Sequence, residues 1–123
     1  MGAKRILVVE DDPAILALEE RLLRHAGFEV RGAPGSSEAL ALAAEEEFDL
    51  FVLDVMLPGM SGYELARALA ARDPARQVPL VFATANQAAD GVREGFRTGA
   101  ALYLVKPFQT ATLLSTVRAA MGS

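Results

Sequence analysis

The chain has 123 residues, of which 52% are hydrophobic, with a formal net charge of −4 and no cysteine. This length predicts a single folded domain, and the apolar content excludes a disordered chain. The acidic balance argues against direct nucleic-acid binding by this domain, and the lack of cysteine excludes disulfides and cysteine-ligated zinc. Because no signal-peptide pattern and no apolar stretch of roughly 20 residues is present, the sequence predicts a cytoplasmic domain that does not bind membranes.

The chain begins with a predicted strand followed by a helix. Residues 6–9 form a short run rich in β-branched side chains, as expected of a strand buried on both faces. Asp12 and Pro13 fit a helix N-cap and the first helical position, and Gly27 can end the helix. The predicted inward face of this helix comprises Ile15, Leu18, Leu22 and Ala26.

A second strand and helix follow, and then a third strand. Residues 28–30 predict a short strand, and Ser36 or Ser37 can cap the next helix. The predicted inward face of that helix comprises Ala39, Leu40, Ala43 and Ala44. Residues 50–53 form a second clear buried strand, which ends at Asp54.

The second half of the chain continues this alternation. Residues 58–62 have loop composition, and Ser61 with Glu64 forms a capping box for a helix that turns Leu65 and Leu69 inward. The remaining predicted elements are a strand over 80–82 ending near Thr84, a fourth helix marked by Val92 and Phe96 and ended by Gly99, a strand over 102–105, and a final helix that turns Leu113, Leu114, Val117 and Met121 inward.

This order of elements is a (βα)₅ repeat of strand and helix. Buried strands that alternate with amphipathic helices predict an α/β fold with a parallel, doubly wound sheet and helices on both faces. We expect residues 1–123 to form one domain, without an output domain in this chain.

Ligands of open parallel sheets bind beyond the carboxyl ends of the strands, so the residues at these ends indicate the chemistry. In chain order, the predicted strand ends carry Glu10, Asp11 and Asp12; Gly32 and Ala33; Asp54; Thr84; and Lys106. Apart from the second strand, these ends bring acids, a hydroxyl and an ammonium to one edge.

Such a set of side chains suits phosphoryl transfer. Carboxylates held close together repel one another, and a hard divalent cation such as Mg²⁺ or Mn²⁺ relieves the repulsion. Asp54 can act as a nucleophile that forms an aspartyl-phosphate, because its strand lies between the acids and Lys106. Lys106 and the Thr84 hydroxyl would stabilise charge on the phosphoryl oxygens.

Over almost its whole length, the chain resembles the response regulator receiver domains of two-component signalling. The matching segments are Ile6-Leu7-Val8-Val9-Glu10-Asp11-Asp12-Pro13, Leu53-Asp54-Val55-Met56-Leu57-Pro58-Gly59-Met60-Ser61-Gly62, Thr84-Ala85, Gly99-Ala100 and Tyr103-Leu104-Val105-Lys106-Pro107-Phe108. Together, at these intervals, the segments form a specific pattern, whereas any one alone would be weak.

The resemblance implies a flavodoxin-like sheet with strand order 2-1-3-4-5 and a role for each site residue. It implies that Asp54 is the phosphoacceptor, that Lys106 contacts the phosphoryl group and that the Lys106-Pro107 bond is cis. The metal set it implies is Asp11, Asp54, the backbone carbonyl of Met56 and, through a metal-bound water, Glu10. Asp12 would then be a helix cap, and Thr84 and Tyr103 would form the switch pair.

The resemblance also implies how such a domain works. The phosphoryl donor would be a sensor histidine kinase or a histidine phosphotransfer protein, and the downstream effector or output domain is unknown. Phosphorylation would alter the face formed by the fourth helix, the fifth strand and the fifth helix. We expect a self-phosphorylating signalling domain and not a turnover enzyme, either monomeric or weakly dimeric when phosphorylated.

Two alternatives remain at this stage. A hydrolase with an aspartyl nucleophile is disfavoured because Met56, two residues after Asp54, cannot serve as a general acid. A binding-only pseudo-receiver is disfavoured because the acids, Thr84 and Lys106 are all present.

Overall fold

The computed structural model describes residues 2–73, 75–85 and 102–122. The strands are β1 (Arg5–Val9), β2 (Glu29–Ala33), β3 (Leu50–Asp54), β4 (Leu80–Thr84) and β5 (Leu102–Val105). The helices of these ranges are α1 (Pro13–His25), α2 (Ser36–Glu45), α3 (Gly62–Arg72) and α4 (Thr110–Ala120). None of these helices is long and apolar enough to span a membrane. The last, α4, is the fifth helix of the sequence prediction, whereas the predicted fourth helix, marked by Val92, Phe96 and Gly99, lies outside the described residues.

The strands form one parallel sheet in the order β2-β1-β3-β4-β5, which confirms the predicted fold. In the central pairs, Val9 lies beside Leu53 and Leu53 beside Phe82. Since neighbouring strands run in the same direction, this register brings the carboxyl ends of β1, β3 and β4 to one edge of the sheet.

The sheet separates two apolar cores, because alternate side chains of a strand point to opposite faces. The α2/α3 core contains Leu7 and Val9 of β1 and lies beneath α2 and α3. The α1/α4 core contains Ile6 and Val8 and lies beneath α1 and α4. Helices on both faces bury both sets of strand side chains. Each large apolar side chain that is fully buried contributes about 1.5–3 kcal/mol of stability.

The inward face of α1 differs from the prediction. Leu18 is 40% exposed, whereas Glu19 and Leu23 are buried and Leu16 packs against the α1/α4 core. Leu22 packs against the same core as predicted, but the most buried line follows the spacing 16, 19, 23, which includes an acid. If only apolar residues are assumed to face inward, the pattern selects a neighbouring face of α1. In the structure, packing of α1 against the sheet decides which face is buried.

Two other predicted elements need correction. The strand predicted at 28–30 is instead Glu29–Ala33, because β2 lies at the sheet edge and pairs over its whole length with β1. The N-cap of α2 is Gly35 and not Ser36 or Ser37; the Ser36 hydroxyl instead donates to the Met60 carbonyl at 3.3 Å.

Two further predictions concern the inward face of α2, where one residue is wrong, and the N-terminus of α3, which is confirmed. In α2, Ala44 is exposed and Leu42 packs against the α2/α3 core in its place. In α3, the Ser61 side chain accepts a hydrogen bond from the Glu64 N–H, and the Glu64 carboxylate accepts one from the Ser61 N–H. The predicted capping box is thus confirmed, and it sets where α3 begins beside β3.

Candidate functional site

The site lies where the α1/α4 face of the sheet reaches its carboxyl edge. Glu10, Asp54 and Lys106 each lie two residues beyond a member of the α1/α4 core; these members are Val8, Val52 and Leu104. Because side chains two apart share a face of the sheet, the three polar groups converge above that core. Register and alternation alone therefore build the centre of the site.

Three carboxylates meet at this edge. One oxygen each of Glu10, Asp11 and Asp54 lies within 4.8 Å of the others. Glu10 and Asp54 are only 2% and 5% exposed, whereas Asp11 is exposed and opens the cluster to solvent. Oxygen-only donors in a partly open site are the set that Mg²⁺ uses while retaining several waters, so these residues fit a divalent cation.

Lys106 supplies the positive charge of the cluster. Its Nζ donates to Glu10 Oε1 and lies 3.2 Å from Asp54 Oδ2. Burial lowers the pKa of Lys106, but the hydrogen bond to Glu10 and the charge of Asp54 outweigh burial and raise that pKa overall. Lys106 therefore remains an ammonium at neutral pH.

Glu10 is a buried acid whose pKa is raised although it accepts a hydrogen bond from Lys106. Burial raises the pKa of Glu10, and Asp54 raises it further, although the hydrogen bonds from Lys106 and from the Asp12 N–H act in the opposite direction. Burial is the main cause of this shift, and the smaller effect of Asp54 is one that a bound cation would offset.

The loop between β3 and α3 orients Asp54. The Met56 N–H donates to Asp54 Oδ1 at 3.1 Å, and the Gly62 N–H donates to the Val55 carbonyl at 3.0 Å. A Cβ at Gly62 would lie 2.3 Å from the Asp54 carbonyl oxygen, so only glycine lets α3 begin this close to β3. With Oδ2 beside Lys106, both carboxylate oxygens have a defined partner.

Asp12 belongs to helix α1 and not to the acidic cluster. Its carboxylate accepts hydrogen bonds from the Ala14 and Ile15 N–H groups at 2.9 and 3.2 Å, which confirms the predicted N-cap. Its own N–H donates to Glu10 Oε2 at 3.1 Å. The start of α1 and the orientation of Glu10 are therefore linked.

The Lys106-Pro107 bond is cis, as the sequence resemblance implied.

The predicted switch pair lies on the other face of the sheet. Thr84 is buried at the end of β4, two residues beyond Phe82 of the α2/α3 core, and its carbonyl accepts from the Lys106 N–H at 2.8 Å. Tyr103 is half-buried against the same core, with its hydroxyl 3.1 Å from that of Tyr63. The backbone bond from Lys106 to Thr84 joins this pair to the acidic site.

Glu19 is a buried acid that the sequence analysis did not single out. It is 1% exposed, and neither carboxylate oxygen has a hydrogen-bond partner among the described residues. Burial raises the pKa of Glu19 to about 8, and the charge of Glu10 adds to the effect. The available signal was its spacing from Leu16 and Leu23, which places it on their helical face.

Comparisons with known proteins agree with this architecture. Residues 6–118 match the family model of the response regulator receiver domain, and the chain belongs to that family. It is 43% identical over 115 residues to the transcriptional regulatory protein PrrA of Mycobacterium tuberculosis, covering 94% of this chain and 48% of the relative. It is 40% identical over 116 residues to the DNA-binding response regulator MtrA of Mycolicibacterium smegmatis, covering 94% of this chain and 50% of the relative. The chain thus spans about half the length of these curated relatives.

Solved structures show the same fold. The chemotaxis protein CheY4 of Vibrio cholerae superposes with a TM-score of 0.93 at 33% identity, covering 97% of this chain and 99% of that one. The receiver domain of the sensor histidine kinase PA1611 of Pseudomonas aeruginosa has a TM-score of 0.87 at 30% identity, covering 99% of this chain and 100% of that one. In that structure a magnesium ion is coordinated in the active site cleft.

Proposed function

We propose that this receiver domain accepts a phosphoryl group on Asp54 from a phospho-histidine donor. An oxygen of the Asp54 carboxylate attacks phosphorus, the P–N bond breaks, and its electron pair returns to the imidazole nitrogen of the donor. One observation carries the proposal: the Asp54 carboxylate is buried within the acidic cluster, and its Oδ2 lies 3.2 Å from Lys106 Nζ. An acid so placed can receive the group while an ammonium stabilises the charge on its oxygens.

The proposal assigns Asp11 and Asp54 as direct ligands of Mg²⁺ or Mn²⁺, with the Met56 carbonyl as a third ligand and Glu10 acting through a bound water. When bound, the cation would neutralise charge on the phosphoryl oxygens. Asp11 supports this assignment because it is the exposed member of the cluster and lies where solvent and a donor can enter. The orientation of Asp54 by the Met56 N–H supports a close approach of that backbone segment.

The response to phosphorylation is proposed to pass through Thr84 and Tyr103. The backbone bond from the Lys106 N–H to the Thr84 carbonyl connects the phosphoryl-contacting lysine to the switch strand. The receiving surface would be the one formed by the fourth helix predicted from the sequence, β5 and α4. The donor would be a sensor histidine kinase or a phosphotransfer protein in the cytoplasm.

The named relatives suggest an output. Since they are transcriptional or DNA-binding regulators of about twice this length, we propose that the domain controls a DNA-binding partner or output domain. The net charge of −4 supports a regulatory role for this domain and leaves DNA contact to the output. The proposed domain is monomeric or dimerises weakly when phosphorylated, and it signals without turnover of an external substrate.

Intact mass after incubation with acetyl phosphate and Mg²⁺ tests the phosphoacceptor. We expect one phosphoryl group to be added to wild type. No group should be added when EDTA is present during the reaction or in the variant Asp54→Asn. Asp73→Asn, a change at the exposed end of α3, is the matched control and should still be modified. Mg²⁺-independent addition, or addition to Asp54→Asn, would contradict the proposal, and no adduct in wild type would favour a binding-only pseudo-receiver.

A comparison of neighbouring acids tests the ligand set. Asp11→Asn should weaken Mg²⁺ binding at least tenfold, because it removes a charged oxygen from the cluster. Asp12→Asn should bind nearly as well as wild type, because asparagine keeps the N-cap and Asp12 already bonds to α1. Calorimetric titration measures the Mg²⁺ affinity of both variants. If Asp12→Asn weakened binding and Asp11→Asn did not, the metal ligand would be Asp12 in place of Asp11.

A further inference from the structure

The Glu19 carboxyl has no hydrogen-bond partner in the part of the chain that the structure describes, and it lies on the side of α1 that carries Leu16 and Leu23 of the α1/α4 core. Glu10, Asp54 and Lys106 lie at the edge of that same core, because each follows a core residue of its strand by two positions. Glu19 is therefore a buried acid that is close enough to Glu10, Asp54 and Lys106 to be affected by their charges. Burial of a carboxylate without a hydrogen-bond partner has a large desolvation cost. Such a carboxyl is therefore favoured in its protonated form unless a nearby positive charge stabilises the ion.

The charges around Glu19 come from the site itself. Glu10 at the end of β1 and Asp54 at the end of β3 act on it with negative charge, and Lys106 after β5 acts with positive charge. The buried members of this core on α4 and β2 are the apolar residues Leu113, Val117 and Val30. On α1 itself, the next acid, Glu20, is paired with Arg24 at 3.0 Å.

We propose that Glu19 is a proton-carrying positioning residue of the phosphorylation site, which holds a proton in the cation-free protein and releases it to solvent when a divalent cation enters the acidic cluster. This inference rests on the proposed cation site at Glu10, Asp11 and Asp54. Two added positive charges at the cluster outweigh the repulsion from Glu10 and Asp54 and favour the carboxylate form of Glu19. The ionised Glu19 would in turn strengthen cation binding from within the core.

Calorimetric titration with Mg²⁺ in buffers of different ionisation heat measures the protons released on binding. At pH 7 we expect wild type to release up to about one more proton per cation than Glu19→Gln, which cannot ionise. Any proton that leaves Glu10 is released by both proteins and cancels in this difference. Glu19→Met, an apolar side chain of similar length, should behave like Glu19→Gln and guards against an effect specific to the amide.

The pH dependence of affinity is a second readout that a purely structural role would not change. The ratio of Mg²⁺ affinity in wild type to that in Glu19→Gln should be near one at pH 6 and rise several-fold by pH 9, since only wild type gains a carboxylate. Glu47→Gln removes an exposed glutamate and should follow wild type in proton release and in affinity. Equal proton release with a constant affinity ratio would overturn the inference while leaving the cation site intact, whereas absence of Mg²⁺ binding in wild type would overturn the site itself.

Discussion

Glu10 and Glu19 are both buried, yet the structure accommodates them differently. Glu10 accepts hydrogen bonds from Lys106 and from the Asp12 N–H. Glu19 has no hydrogen-bond partner among the described residues, so its ionised form carries an uncompensated desolvation cost. Such a cost is tolerated in proteins at positions that serve a site, which is the setting of Glu19.

Glu19→Gln should change the dependence of stability on pH. The pKa of the carboxyl is 4.5 in the unfolded reference and about 8 in the folded protein, so the folded state binds more protons between these values. Stability from this group is fully present below pH 4.5 and is lost as pH rises through 8, by up to about 5 kcal/mol. Glu19→Gln should therefore be more stable than wild type above pH 8, and the difference should shrink toward pH 4.5.

Urea unfolding between pH 5 and pH 9 measures this effect. Glu47→Gln, at an exposed position, is the control and should leave the pH profile unchanged. Parallel profiles for wild type and Glu19→Gln would show that Glu19 keeps an ordinary pKa in the folded protein.

Among the elements, the junction of β3 and α3 is constrained by a capping box and by a close backbone approach at Gly62. The capping box of Ser61 and Glu64 defines the start of α3, and Gly62 places that start against the Asp54 carbonyl. Helix α3 and strand β3, which ends at Asp54, are thereby held in one geometry. The same junction supplies the Met56 N–H to the Asp54 carboxylate.

Gly62→Ala should destabilise the protein by about 1–3 kcal/mol, because the added methyl would meet backbone atoms at 2.3 Å. The gain of roughly 1 kcal/mol that alanine offers within a helix is smaller than this crowding cost, so crowding wins. Chemical unfolding measures the loss, and Mg²⁺ affinity should fall with it because Asp54 shifts. Gly2→Ala, with open space around the added methyl, should do neither; a stable Gly62→Ala with normal Mg²⁺ affinity would refute the constraint.

At the scale of the whole molecule, the proposed cation site would couple cation binding to folding. Glu10 and Asp11 are adjacent, but Asp54 lies far along the chain and joins them only in the folded protein. A ligand that binds the folded state alone stabilises it in proportion to the logarithm of its concentration. Folding and cation binding are therefore expected to support each other.

Mg²⁺ at a hundred times its dissociation constant should add about 2.7 kcal/mol of stability. For a chain of this length, that gain corresponds to a rise in Tm of roughly 10 °C. Differential scanning calorimetry with and without EDTA measures it, with Asp11→Asn as the variant that should lose the rise and Asp12→Asn as the one that should keep it. A rise of equal size in Asp11→Asn would indicate a different binding site.

Much of the architecture could be predicted from the sequence because its signals are local. The buried strands, the Asp12 cap and the capping box at Ser61 depend on nearest neighbours and periodicity, and the structure confirms them. The convergence of Glu10, Asp11 and Asp54 follows from the rule that parallel strands share a carboxyl edge. The order of the strands came from the resemblance to receiver domains.

The sequence by itself determined the alternation of strands and helices over the described residues, the caps of α1 and α3 and the reactive groups at the strand ends, since each depends on neighbouring residues. The tertiary structure alone decided which face of α1 is buried, how far β2 extends, and that Glu19 lies inside while Leu18 faces solvent. The physical reason is that docking on the sheet and pairing at its edge involve partners distant in the chain. Their energies decide between two helical faces that the sequence pattern allows, and they bury Glu19 together with Leu23 and, in part, Leu16.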